Sequence, residues 1–169
     1  MRRPRQSLRD LKMVVTVLLL AELTFGQQPK WEWKEYTFDS NNFAVTVPSV
    51  PAPHRDPQIA GATNYDVALD EGALRIEVIP HHLDCTDVIA RFKQLAVSRG
   101  AIKTSLRELP VAGHPALEYR FDKPNRQTEY DRIVCTNTIT YCIYAGWPTN
   151  QPRPPSVDRV LNSFRLLKP

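Results

Sequence analysis

Apolar and polar residues alternate with period two in segment after segment, and this limits what the chain can fold into more than any other feature. Phe43, Val45 and Val47 alternate with Ala44 and Thr46 until Pro48 stops the run. Tyr65, Val67 and Leu69 alternate with Asp66, Ala68 and Asp70; beyond Glu71-Gly72, Leu74, Ile76 and Val78 alternate with Arg75 and Glu77. Successive side chains of a strand point to opposite faces, so these read as strands with one apolar face, the last two joined in a hairpin. Leu117, Tyr119 and Phe121 repeat the pattern, and residues 130–135 and 139–144 form a final hairpin around Asn137-Thr138. Such one-faced strands belong to an antiparallel sheet. Residues 139–144 are apolar on both faces, which places them centrally. Prolines set limits: Pro48, Pro51, Pro53 and Pro57 mark a loop, Pro110 interrupts the strand 102–109, and residues 148–155 form a second proline-rich loop.

Two segments change to helical period. Asp84 is a good N-cap with Asp87 three residues on, and Val88, Ile89, Phe92, Leu95 and Ala96 form one stripe that ends at Arg99 and Gly100. Ser156 caps a short last helix with the stripe Val157, Val160, Leu161 and Phe164. The expected fold is α+β: an antiparallel sheet of about six or seven strands covered by two amphipathic helices.

The first 26 residues read as an address. Arg2, Arg3, Arg5, Arg9 and Lys12 precede the apolar run 13–21, and Thr24 and Gly26 place small or modest side chains before Gln27. This is the order of a signal peptide, cleaved after Gly26. The run is shorter than the about 20 residues a membrane span needs. Pro4-Arg5-Gln6 lacks the apolar pair of a twin-arginine signal, so Sec-type export to the periplasm or medium is expected, with no membrane span after cleavage. Residues 27–35 form an aromatic lead-in and residues 36–169 a single domain. The leader takes five of the 22 Lys/Arg and two of the 18 Asp/Glu, leaving 17 against 16. Such a balance, with mixed signs in every segment, argues against a nucleic-acid partner.

Export makes a disulfide reasonable, and the three cysteines leave one over. Cys135 and Cys142 flank the Asn137-Thr138 turn and are the first expected pair; directly opposite they can bond, and on a diagonal they bond less easily. A bond from Cys85 to either of them, or three free thiols, are the alternatives. His81, His82 and Cys85 are the densest set of metal-ligand types, with a thiol in a first helical turn. Adjacent histidines in an extended segment point apart, however, and Asp84 is occupied as a cap. Trp31 and Trp33 in the lead-in, and Trp147 beside the second proline loop, are candidate partner surfaces. The sequence holds neither a Gly-x-Ser-x-Gly elbow nor a Gly-rich phosphate loop, and nothing in it calls for a cofactor.

The order of elements resembles the PsbP-like family of small exported bacterial domains. The resemblance rests on "NNFAVTVPSVP" (41–51), "SRG" (98–100), "LPVAGHPALEY" (109–119), "RIVCTNTITYCIYAG" (132–146) and "DRVLNSFRLL" (158–167), and covers residues 36–167. It implies an α/β/α sandwich that acts by binding, as do members serving photosystem assembly or the GTPase Ran, and it carries over no site residue. The expected function is an exported, non-enzymatic binding or accessory module for a protein or small ligand. The rivals are a metal-binding or thiol-redox protein using His81, His82 and Cys85, and a structural subunit of an envelope assembly.

Overall fold

The computed structural model describes residues 32–70 and 72–167. The expected signal peptide and Trp31 lie outside the described residues. The architecture is α+β, with two sheets and two α-helices among the described residues. The larger sheet has seven antiparallel strands in the order β3-β4-β5-β9-β8-β7-β6. They are β3 (Ala52–Arg55), β4 (Thr63–Leu69), β5 (Gly72–Pro80), β6 (Arg107–Val111), β7 (His114–Lys123), β8 (Gln127–Cys135) and β9 (Ile139–Pro148). The doubly apolar β9 is the middle strand, as its pattern demands. A smaller sheet joins β1 (Lys34–Phe38), β2 (Phe43–Val47) and β10 (Arg165–Leu166) in the order β1-β2-β10. Helix α1 runs Cys85–Ser98 and α2 runs Pro155–Ser163.

The single sheet expected from the sequence is thus corrected to two. β2 has the period of a sheet strand but leaves the larger sheet, because Phe43, Val45 and Val47 pack face-on against it together with Val157, Val160 and Leu161 of α2. Phe43 lies at the centre, stacked 4.7 Å from Phe38 and edge-on to Tyr65 and Tyr141. Lys34 and Glu35 belong to β1, so that strand begins inside the lead-in. Two further expectations fail on proline. Pro110 does not end its strand, because β6 is an edge strand with one side free of ladder bonds; Pro53 sits likewise on the opposite edge, β3. The last helix is not capped by Ser156: Pro154 takes the N-cap and Pro155 the first turn, where a missing N–H costs nothing.

α1 starts as its sequence requires. The Asp84 carboxylate accepts the Thr86 N–H at 2.7 Å, and Gly100 leaves the helix at φ +81°. Its buried stripe is narrower than the sequence stripe: Val88, Ile89 and Ala96 are buried, while Leu95 is exposed. With Phe92 it packs on Leu117, Tyr119, Phe121, Ile133 and Cys142 of β7, β8 and β9, on the sheet face opposite β2 and α2. None of the described helices is long and apolar enough to cross a membrane.

Candidate functional site

Strand register decides which side chains share a face, and it aligns two polar rows on the α1 side of the larger sheet. One row reads Asp66, Arg75, Tyr144, Asp131 and Tyr119; the next reads Asn64, Glu77, Cys142, Ile133 and Leu117. α1 covers only the β7 and β8 end. Over β4, β5 and β9 the face is left as a groove of about 820 Å³, walled by Arg99 after α1 and by Asp56 and Ile59 of the β3–β4 loop. Gly72 and Gly146 form part of its floor; a Cβ on Gly72 would collide with the Gly146 carbonyl, so that position is closed to any side chain.

The groove wall is built by Asp56. Its Oδ1 accepts the N–H groups of Gln58 at 2.7 Å and Ile59 at 2.9 Å, and its Oδ2 accepts from Asn64 Nδ2 at 2.9 Å. These bonds, that from Asn64 first, hold its carboxyl below the usual range. Glu77 behaves oppositely. It is 6% exposed, and burial raises its carboxyl above the usual range, with the Asp56 charge adding to the effect. The Tyr144 hydroxyl donates to Glu77 Oε2 at 3.1 Å and opposes that shift. Asp131 is fully buried, opposite Tyr119 on the neighbouring strand, whose hydroxyl favours its charged form. Burial pushes it up to about 8, the charge of Glu129 adding and Arg99 opposing. At neutral pH the groove therefore presents a carboxylate (Asp56), a raised carboxyl (Glu77) and a guanidinium paired to Asp66 at 2.7 Å (Arg75), while Asp131 is buried outside its lining.

The residues singled out in the sequence lie elsewhere. Cys135 is bonded to Cys85, not to Cys142. The hairpin register is the reason: Cys135 faces Thr140 and Cys142 faces Ile133, so the expected pair sits on a diagonal. The first turn of α1 instead brings Cys85 over Cys135 with Cα atoms 5.6 Å apart, inside the normal span of a disulfide. Cys142 is a free, buried thiol whose pKa is raised by burial.

The weak metal-ligand candidates His81, His82 and Cys85 do not form a ligand set among the described residues. The Cys85 sulfur is committed to the disulfide, and among the described residues no group of three His, Cys, Asp or Glu is placed to hold a metal. His82 is exposed and apart. His81 accepts the Leu83 N–H at Nδ1 and turns Nε2 to within 3.6 Å of Cys135 Sγ. Trp147 is not a loop aromatic: it belongs to β9 and is buried. Trp33 packs against the core with the Arg159 guanidinium 4.3 Å from its ring centroid.

Sequence reading passed over Asp56, Glu77, Asp131 and Tyr144. Each looks like an ordinary polar position of an alternating strand or turn. The one legible signal is that Asp66, Arg75, Glu77 and Asp131 fall on the polar phase of neighbouring strands.

No protein-family model matches the chain, and no curated protein matches it. Among solved structures it is similar to a crystal structure from Bacteroides thetaiotaomicron VPI-5482 at 1.50 Å resolution, with 14% identity and a TM-score of 0.53. That similarity covers 80% of this chain and 48% of the other, so the chain spans about half the length of the protein it matches. At that identity the likeness is one of fold.

Proposed function

We propose that the protein is an exported, non-enzymatic binding module of PsbP-like architecture, and that the groove over β4, β5 and β9 holds its ligand. The observation that carries this is the groove itself: about 820 Å³ of concave surface over a polar floor, within the size range of small-ligand sites. Its groups are arranged to hold. Asp56 and Asp66 accept, Arg75 donates, the Tyr144 hydroxyl oxygen can accept, and the short edges of Gly72, Ala73 and Gly146 let a ligand approach the backbone. Export is supported by the basic-then-apolar leader and by the disulfide, which suits an oxidising compartment.

Isotope-edited NMR titration with a panel of short peptides and oligosaccharides tests the groove. The expected result is a saturable shift confined to Asp66, Arg75, Tyr144 and Gly146, lost in Tyr144→Phe. Shifts elsewhere only, or turnover of a probe, would refute the binding-module reading. Intact mass of the protein from its producing cells tests export, a chain starting at Gln27 being the expected product.

A second reading, thiol–disulfide chemistry at Cys85, is favoured by one contact, that of His81 with Cys135. The two readings part under mild reduction of the native protein. A bond that stays closed in dithiothreitol until the protein unfolds is structural, and removing it should then cost about 2–4 kcal/mol, because it closes a loop of 50 residues. A bond that opens in the folded state, at a rate sensitive to His81→Gln, supports redox function.

A further inference from the structure

On the sheet face opposite the groove, beside β7 and β8, three guanidinium groups converge on one small pocket. Arg107, Arg120 and Arg153 line it together with Ser105, Tyr130 and Trp147, around a volume of about 240 Å³. Buried Tyr130 and Trp147 form its apolar floor, and Arg153 stacks on the Tyr130 ring with Cζ 4.2 Å from the centroid. Each arginine meets one carboxylate through a single terminal nitrogen. Arg107 Nη2 lies 2.6 Å from Glu118, Arg120 Nη2 lies 3.3 Å from Asp122, and Arg153 Nη2 lies 2.6 Å from Asp158. Glu118 is shared with a fourth cation, Arg132, also at 2.6 Å. Four guanidinium groups thus face three carboxylates, one positive charge in excess.

A guanidinium presents its donors in a planar fork. The second terminal nitrogen of each of the three arginines meets no carboxylate and is left to donate to an acceptor in the space between them. An oxyanion fits all three facts: it accepts several N–H groups at once, carries the charge that is missing, and is small. The pocket is below the usual 300–1,000 Å³ of drug-sized sites, which restricts it to a free ion or one anionic group of a larger molecule.

We infer that this pocket binds a tetrahedral oxyanion, phosphate or sulfate, between Arg120 and Arg153. The test is calorimetric titration of the full chain with sodium phosphate and with sodium sulfate at constant chloride. One arm replaces the free ions by a sugar phosphate and a sulfated disaccharide. The expected result is saturable binding that weakens about tenfold or more in Arg153→Gln and in Arg120→Gln. Asp158→Asn frees the Arg153 fork and should tighten binding, whereas Arg91→Gln, on exposed α1 surface, should leave it unchanged. Tighter binding of either ester than of its free ion would show that the group arrives on a larger ligand; the reverse would show a free-ion site. No saturation below about 10 mM, a range weaker than specific sites need, would overturn the inference. So would equal affinity in the folded Arg153→Gln and Arg120→Gln variants, the mark of an adventitious ion only. Should one of the two variants fail to fold, the other and Asp158→Asn still decide.

Discussion

The two faces of the seven-stranded sheet come from the same strands, yet one is closed and the other half open. On the closed face the small sheet and α2 together cover the aromatic cluster around Phe43. On the other face the cover among the described residues is α1, 14 residues long, with the β3–β4 loop at one edge. Seven strands spaced by about 4.8 Å span about 29 Å, and a helix about 10 Å across screens two of them. α1 packs on β7 and β8 accordingly, and Asp66, Arg75 and Tyr144 of β4, β5 and β9 keep access to solvent. The groove is thus a consequence of too little cover, and its polar floor makes too little cover tolerable.

The closed face is most sensitive at Phe43. Phe43→Ala removes a fully buried ring from between both sheets and should destabilise by about 3–5 kcal/mol, seen as a lower urea midpoint at unchanged slope. If the loss were below about 1 kcal/mol, the closed face would not be the core.

Asp131 sharpens the other side. Its folded pKa is raised to about 8 by burial, whereas the unfolded chain ionises near the ordinary carboxylate value. Between those values the unfolded state binds fewer protons than the folded one, so this residue lowers stability as pH rises from about 4 to about 8 and adds no further slope above that. Asp131→Asn should therefore stabilise the protein by about 5 kcal/mol at pH 8 and by nearly nothing at pH 4. Denaturant melts at the two pH values check it, and an equal effect at both would mean that Asp131 titrates normally.

The smallest effect concerns how α1 is anchored. Asp84→Ala removes the cap of the Thr86 N–H and should cost about 1 kcal/mol, with hydrogen exchange rising in the first turn of α1 and not in α2. A matching rise in α2 would mean that the two faces unfold as one unit.

Much of the fold is legible from local pattern. The β4–β5 and β8–β9 hairpins, the central place of β9, the Asp84 cap and the fully buried stripe of α2 all follow from period and cap chemistry, which act over a few residues. The separation of β2 into a second sheet does not, because a strand's period is the same whichever sheet it joins. Pro110 misleads for a related reason: proline ends a central strand and is harmless on an edge, and position in the sheet is a long-range property. The candidate site was hidden in the same way. Glu77 and Asp131 have the spacing of solvent-facing residues, and only the β3–β4 loop and α1, brought over them from elsewhere in the chain, bury them.

The cysteines divide the two kinds of information most plainly. Composition alone requires that one thiol of three stay outside a bond within the chain, since pairing is by twos. Spacing likewise requires that Cys135 and Cys142 share a face if the turn has an even length, since side chains alternate along a strand. Which partner Cys135 takes was decided by tertiary structure alone. The hairpin register sets Cys142 one pair along from Cys135, and the packing of α1 on β7 and β8 brings a residue 50 positions away to 5.6 Å between Cα atoms.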